Sequence, residues 1–138
     1  MSEINKNLDK AIELDPDFPG SHSIRAGISV WMEWDWEKGE REFLRAIELN
    51  PNDALSRMYY AHLLMIQRRT EEANQQAEIG LELDPMKPLV LGLYGVVTER
   101  NNNDTKGAQE AFEKSLSIDP NFGFSRFNLN NLLMEDAY

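Results

Sequence analysis

The chain of 138 residues contains no cysteine, which excludes both a disulfide framework and a thiolate metal site. The longest apolar stretch, residues 88–97, is about half of the roughly 20 residues that a membrane-spanning helix needs. The amino-terminal segment MSEINKNLDK is polar and has no apolar signal core. From these absences we expect a cytoplasmic protein without a membrane span.

Basic residues are scarce, with 14 Lys and Arg against 24 Asp and Glu, and the formal net charge is −10. Binding to nucleic acid depends on neutralising several phosphates with Lys and Arg. The charge balance therefore disfavours nucleic acid as a direct partner.

Sequence motifs for catalysis and for metal binding are also missing. The two histidines, His22 and His62, are 40 residues apart, and neither has a carboxylate three or four positions on that would help to hold a metal. The sequence has no nucleophile motif and no glycine-rich phosphate loop, and its many carboxylates fall mainly at expected solvent-facing helix positions. We therefore predict a protein that is not an enzyme and that carries no cofactor and no metal.

What the sequence does contain is a repeat. Its prolines Pro16, Pro51, Pro85 and Pro120 are separated by 35, 34 and 35 residues. Each closes a similar phrase: AIELDP, AIELNP, GLELDP and SLSIDP. A fixed period of this length indicates one supersecondary unit that is stacked several times.

Each repeat is predicted to end in a helix, here called helix B. Apolar or small residues lie two, four, five and eight positions before each proline, and this spacing traces one face of an α-helix. In chain order they are Leu14, Ile12, Ala11 and Leu8; Leu49, Ile47, Ala46 and Phe43; Leu83, Leu81, Gly80 and Ala77; Ile118, Leu116, Ser115 and Phe112. The Asp or Asn before each proline marks the helix end, because the residue preceding proline is disfavoured in helical geometry.

A second set of small residues predicts the contact between helix B and a preceding helix, here called helix A. Two antiparallel helices approach closely where their side chains are small. The predicted facing pairs are Gly27 with Gly39, Ala61 with Ala73, and Gly95 with Ala108.

These features resemble the tetratricopeptide repeat (TPR), a 34-residue helix–turn–helix unit. The residues that match the characteristic positions of this repeat are Gly27, Trp36, Gly39, Phe43, Ala46 and Pro51 in one copy, Tyr60, Ala61, Ala73 and Pro85 in the next, and Tyr94, Gly95, Ala108, Phe112 and Pro120 in the third. The resemblance implies an all-α fold, a right-handed α-solenoid of antiparallel helix pairs. It divides a single domain into a half-repeat helix B (1–16), full repeats (17–51, 52–85 and 86–120) and a half-repeat helix A (121–138).

The segment Glu33–Pro51, EWDWEKGEREFLRAIELNP, also resembles the repeats appended to bacterial signalling proteins such as adenylate cyclases, kinases and winged-helix regulators. This second resemblance implies that the chain is an accessory region of a larger signalling or regulatory protein.

Helix A of each repeat is predicted to line the concave wall of the solenoid. The positions six and three before, and one and four after, its small residue should point into this wall. The candidate groove residues are Ile24, Ile28, Trp31, Leu55, Met58, His62, Met65, Val96, Phe124, Phe127 and Asn131. Flexible Met and flat aromatic side chains suit an apolar peptide or amphipathic helix. In the alternative interpretation some of these residues belong to the core between repeats.

Some TPR proteins bind the carboxylate tail of chaperones through Lys and Asn side chains on this wall. Here Ile24 and Ile28 stand where the first Lys and Asn would be needed, and Glu99, which we expect to face the groove, would repel a carboxylate. An acidic carboxyl terminus is therefore expected to be a poor ligand.

The three tryptophans lie close together in the sequence. We predict that Trp36 fills the aromatic slot of helix B and that Trp34 lies in the turn, where its ring seals the helix pair. Trp31 is the one expected to reach the groove.

The sequence thus favours a non-catalytic protein–protein interaction scaffold whose partner carries apolar anchor residues. The alternative is a structural module that forms homo-oligomers. Its terminal half-repeats have no visible polar cap, so the end of one chain would pack on the start of another.

Overall fold

The computed structural model describes residues 3–17 and 19–136, which form eight α-helices and no strand. The helices are α1 (Glu3–Leu14), α2 (Pro19–Trp31), α3 (Trp36–Leu49), α4 (Ala54–Ile66), α5 (Thr70–Leu83), α6 (Pro88–Asn102), α7 (Thr105–Ile118) and α8 (Gly123–Asp136). The predicted fold class, an all-α helical solenoid, is confirmed. The outermost residues of the two predicted half-repeats, 1–2 and 137–138, lie outside the described residues.

Neighbouring helices pack as hairpins, α2 with α3, α4 with α5, and α6 with α7. The first helix, α1, packs on α2, and the last, α8, packs on α6 and α7. The helices in the helix A position, α2, α4, α6 and α8, also contact one another in sequence, and together they form one wall of the solenoid.

The Asp or Asn before each proline ends helix B by a local mechanism. Asn50 and Asp119 leave helical geometry at φ −142° and −131°. The Asn50 side chain accepts a hydrogen bond from the Asn52 backbone N–H at 3.3 Å, and Asp119 accepts one from Asn121 at 3.1 Å. The side chain thus stabilises the turn that proline imposes, which explains why this dipeptide recurs.

In each complete hairpin, the turn between helix A and helix B contains one residue whose backbone dihedral angles lie in the left-handed region, with positive φ. These residues are Trp34, Arg68 and Asn103, with φ of 57°, 60° and 54°. Their spacing follows the repeat, so the turn has the same geometry in all three hairpins. Asn tolerates this conformation, whereas a residue such as Arg is strained in it.

Arg68→Gly is expected to raise the free energy of unfolding by roughly 0.5–1 kcal/mol, because glycine adopts positive φ without the steric cost of a Cβ atom. Arg41→Gly is the matched control. Arg41 is exposed within α3, where glycine should lower stability by about 1 kcal/mol. Urea titrations followed by circular dichroism measure both changes. Destabilisation by Arg68→Gly comparable to that of Arg41→Gly would contradict the prediction.

The close contacts between helices differ from the predicted small-residue pairs. A Cβ atom on Gly39 would clash with Val30, and one on Gly27 would meet only the Trp31 ring, so the predicted Gly27–Gly39 pair is wrong. Gly95 lies under the buried ring of Phe112, where a Cβ atom would lie 2.5 Å from a ring carbon. The small residues therefore make room for a large side chain of the facing helix.

Buried side chains form three clusters that follow one another along the solenoid. The first joins α2–α5 around Phe43, the second centres on Met58 between α4 and α6, and the third surrounds Phe112 between α6 and α8. Met65 packs against all three. The core is thus continuous between repeats, as a stacked architecture requires.

Candidate functional site

A cavity with a volume of about 500 Å³ lies on the wall formed by the helix A positions. Its lining consists of Trp31 from α2; Tyr59 and His62 from α4; Leu93, Val96 and Arg100 from α6; and Phe124, Phe127 and Asn128 from α8. All four helices of this wall contribute, so the cavity is a property of the stacked repeats and not of one hairpin.

A second cavity of about 340 Å³ adjoins the first and is lined by Ser23, Ile24 and Gly27 of α2 together with Trp31 and Tyr59. The two cavities share Trp31 and Tyr59, and we call them together the groove. The rings of these two residues meet edge to face, with centroids 6.0 Å apart and planes at 69°. Edge-to-face pairs of this kind are favourable, so the aromatic ridge between the cavities is held in place.

The groove is mainly apolar and carries little charge. Arg100 is the only charged residue among those that line the two cavities. The His62 Nε2 atom lies 3.2 Å from the Leu93 carbonyl oxygen. Burial lowers the pKa of His62, the bond to Leu93 partly opposes this, and the positive charge of Arg100 lowers the pKa further. The imidazole is therefore neutral near neutral pH.

This lowered pKa gives a testable pH dependence. His62 has its ordinary pKa of 6.5 in the unfolded chain and a lower one in the folded protein, so below pH 6.5 the unfolded state takes up the proton first. We expect stability to fall as the pH drops through this range, and His62→Gln to make the fall smaller. Urea titrations between about pH 7 and pH 5 measure the difference. Equal slopes for both proteins would contradict the prediction.

The structure brings about half of the sequence-predicted groove residues to the cavities and places the others elsewhere. Those that line the cavities are Ile24, Trp31, His62, Val96, Phe124 and Phe127. Met58 is 0% exposed and Ile28 is 8% exposed, so both belong to the core and not to the groove surface. Leu55 and Met65 pack against the core clusters, and Asn131 is exposed outside both cavities. The alternative assignment to the core thus applies to part of the set.

Six lining residues were not predicted from the sequence: Ser23 and Gly27 in the second cavity, and Tyr59, Leu93, Arg100 and Asn128 in the first. Three of them, Tyr59, Leu93 and Arg100, come directly after positions that were predicted to face the wall. The helices α4 and α6 are therefore rotated slightly about their own axes relative to the predicted orientation. The rotation of α6 also changes the charge of the groove, because Arg100 and not Glu99 contributes to the lining. The expected repulsion of a carboxylate by Glu99 is therefore not supported.

The tryptophans differ partly from the prediction. Trp31 lies in the groove with 41% of its surface exposed. Trp34, the residue at positive φ in the first hairpin turn, is 75% exposed, so it does not seal the hairpin as predicted. Trp36 begins α3 and is 37% exposed.

The described part of the chain has neither a cluster of metal ligands nor a membrane-spanning helix. No group of three His, Cys, Asp or Glu side chains there could hold a metal ion. His22 instead connects elements, with Nδ1 2.5 Å from Glu42 of α3 and Nε2 2.5 Å from the Pro16 carbonyl oxygen. Within the described ranges, no helix has the length and apolar character needed to cross a bilayer.

Comparison with known proteins identifies the repeat. Two models of the tetratricopeptide repeat family match, one over residues 42–76 and one over residues 96–122. No curated protein matches the chain in sequence.

Several solved structures share the fold. The TPR domain of Arabidopsis OM64 superposes with a TM-score of 0.70 at 16% identity, over 85% of this chain and 95% of that chain. PilF of Pseudomonas aeruginosa gives a TM-score of 0.74 at 26% identity, over 94% of this chain and 59% of PilF. The first TPR domain of Spaghetti (RPAP3), bound to the HSP90 peptide SRMEEVD, gives 0.73 at 10% identity, over 87% of this chain and 96% of that domain.

The proline-terminated period, the stacked helix hairpins, the two family matches and these superpositions agree with one another. The chain therefore contains tetratricopeptide repeats over residues 42–76 and 96–122, and its described helices have the fold of solved TPR domains.

Proposed function

We propose that this protein is a non-catalytic protein–protein interaction scaffold, and that its groove binds a peptide or an amphipathic helix of a partner. The groove itself carries the proposal. It spans four helices, its surface is mainly apolar, and it exposes the aromatic rings of Trp31, Phe124 and Phe127. Exposed aromatic side chains in a concave site are favourable anchors for a partner's apolar residues. The RPAP3 domain, which shares this fold, is bound to a peptide.

The charge of the protein indicates which partner segments should bind to the groove. The net charge of −10 outside an apolar groove favours partners that are neutral or basic around their apolar anchor residues. Within the groove, Arg100 offers one positive charge beside Phe124 and Phe127. We expect a partner segment with apolar anchors and few negative charges to bind better than a strongly acidic tail.

The resemblance of Glu33–Pro51 to repeats of bacterial signalling proteins supports a location in the accessory region of a larger signalling or regulatory protein of the cytoplasm. The coding sequence on both sides of this chain tests this part of the proposal. A neighbouring cyclase, kinase or winged-helix domain would support it, and a secretion signal joined to the chain would contradict it.

The binding proposal is tested with a phage-displayed library of random peptides selected on the wild-type protein. We expect the selected peptides to carry aromatic or aliphatic anchors. Synthetic copies should bind Trp31→Ala roughly tenfold or more weakly, because this substitution removes a central aromatic contact. Trp34→Ala is the matched control, since Trp34 is exposed but lies outside the groove, and it should leave the affinity unchanged.

Two results would overturn the binding proposal. One is selection of only acidic tails resembling SRMEEVD. The other is equal affinity of the selected peptides for the wild type and for Trp31→Ala.

A second candidate function is self-assembly through the terminal helices. The observation that favours it is apolar surface at the carboxyl-terminal end, where Phe127, Leu133 and Met134 of α8 are 65%, 45% and 59% exposed. Phe127 lines the groove, whereas Leu133 and Met134 lie outside both cavities.

A further inference from the structure

The first cavity contains a hydrogen-bond acceptor without a partner among the described residues, the Nδ1 atom of His62. The Nε2 atom of this imidazole lies 3.2 Å from the Leu93 carbonyl oxygen, and a carbonyl oxygen can only accept, so Nε2 carries the hydrogen. Because the ring is neutral, Nδ1 carries no hydrogen and is an acceptor. No other described residue donates a hydrogen bond to it.

This unpaired Nδ1 atom is open to the cavity. In the described part of the chain, the buried side-chain polar atoms without a partner are Arg25 Nε and Ser29 Oγ. The Nδ1 atom of His62 is not one of them, so it is accessible, and His62 lines the first cavity. The lining beside it is apolar at Leu93 and Val96. A ligand that matches the cavity therefore presents a donor at this point and apolar surface elsewhere.

We propose that the first cavity binds a tryptophan side chain of the partner segment, with the indole N–H donating to His62 Nδ1 and the ring lying against Arg100. This inference rests on the proposed function of the groove, and it names the anchor residue that the groove selects. His62 and Arg100 belong to α4 and α6, which have other helices packed on both sides. Their arrangement therefore does not depend on the terminal helices.

The indole matches this cavity in size and in hydrogen bonding. It is a large apolar ring with an N–H group that donates and no atom that accepts. A Phe or Leu anchor would leave Nδ1 unpaired in an apolar site, which costs free energy, and the charge of Arg100 would repel a Lys or Arg anchor. A cavity of about 500 Å³ is within the range that holds small organic ligands, so a bicyclic ring fits.

Arg100 is the second group that favours tryptophan. It is exposed, lines the first cavity and forms no ion pair with a described residue, whereas Arg25, Arg45 and Arg69 each pair with a carboxylate. Its positive charge helps to lower the pKa of His62, so the two side chains lie close together. A guanidinium is attracted to the face of an aromatic ring, and tryptophan gives the strongest attraction of this kind. One indole ring can therefore interact with both groups.

The first test compares three probes on the full wild-type chain by NMR titration. N-acetyl-tryptophanamide carries the indole N–H, its 1-methyl derivative has a methyl group in place of that hydrogen, and the benzothienylalanine analogue has sulfur in place of the N–H without added bulk. We expect N-acetyl-tryptophanamide to bind roughly tenfold more tightly than either analogue, because only the indole N–H pairs with the acceptor. If the amides bind too weakly to titrate, the same three side chains are placed at the anchor position of a peptide selected from the library.

The nitrogen-15 resonance of His62 Nδ1 reports the proposed hydrogen bond directly. The chain has only two histidines, so comparison with His62→Leu assigns this resonance. N-acetyl-tryptophanamide should shift it, and the benzothienylalanine analogue, which fills the same space without a donor, should not.

Variants separate the two proposed contacts. His62→Leu removes the acceptor, so it should bind all three probes with equal affinity, and His62→Asn, whose side-chain oxygen lies near the position of Nδ1, should restore part of the preference. Arg100→Gln should weaken all three probes about twofold to fivefold and keep their ratio. Asn131→Leu is the matched control, because Asn131 lies on the same wall but outside both cavities, and it should change nothing. Circular dichroism establishes that each variant is folded.

Equal affinity of the wild type for the three probes would overturn this inference, and so would tighter binding of N-acetyl-tyrosinamide than of N-acetyl-tryptophanamide. Selected peptides that bind the groove through Leu or Phe anchors, without enrichment of tryptophan, would also overturn it but would leave the groove proposal standing. If neither the probes nor any library peptide binds, the groove proposal itself fails. Failure of one proposal is thereby distinguished from failure of the other.

Discussion

Phe112→Ala is expected to lower the free energy of unfolding by about 3–5 kcal/mol, the range typical of removing a fully buried aromatic ring. Phe112 is 0% exposed, and its ring lies against the backbone of Gly95 between α6 and α7. The same cluster includes Leu129 and Leu132 of α8, so the loss also weakens the contact with the last helix. Urea unfolding followed by far-ultraviolet circular dichroism measures the change.

Phe127→Ala is the matched control for this prediction. Phe127 lies in α8 and is 65% exposed, so its removal should change stability by no more than about 0.5 kcal/mol. The three tryptophans all lie between residues 31 and 36, so their fluorescence reports the α2–α3 region while circular dichroism reports all helices. If Phe112→Ala and Phe127→Ala were equally stable, the third core cluster would not contribute as the structure indicates.

Gly95→Ala is expected to lower stability by about 1–3 kcal/mol, although alanine is the better helix former. The new Cβ atom would lie 2.5, 2.8 and 2.9 Å from three carbons of the Phe112 ring, which is buried and has no room to move aside. Gly27→Ala, at the same position of an earlier repeat, is expected to raise stability by up to about 1 kcal/mol. Its Cβ atom would meet only the side chain of the partly exposed Trp31.

A double-mutant cycle isolates the cause of this difference. In the Phe112→Ala background the ring is absent, so adding Gly95→Ala should no longer destabilise the protein and the coupling between the two positions should be large. The middle hairpin already has this combination, with Ala61 and Ala77 at the equivalent positions, both buried. A Gly95→Ala penalty that is the same in both backgrounds would contradict the assignment of the clash to Phe112.

The sequence alone predicts where the helices lie, because the signals that determine them are local. The Asp or Asn and Pro pair ends each helix B through its own turn geometry, as Asn50 and Asp119 show. The apolar spacing before each proline repeats in every copy, and it is this face that is buried at Phe43 and Phe112. Local signals of this kind do not depend on which neighbour a helix meets.

The lining of the groove depends on contacts that the sequence does not specify. Consecutive residues of a helix point about 100° apart, so a small rotation decides whether a residue or its neighbour faces the groove. That rotation is determined where a large side chain meets a glycine of the facing helix, as Val30 meets Gly39 and Phe112 meets Gly95.

The sequence by itself therefore determined the repeat, the helix ends and the wall on which the groove lies. Only the tertiary structure decided that Tyr59 and Arg100 line the groove while Met58 is buried, because the packing between helices fixes the orientation of each one about its own axis.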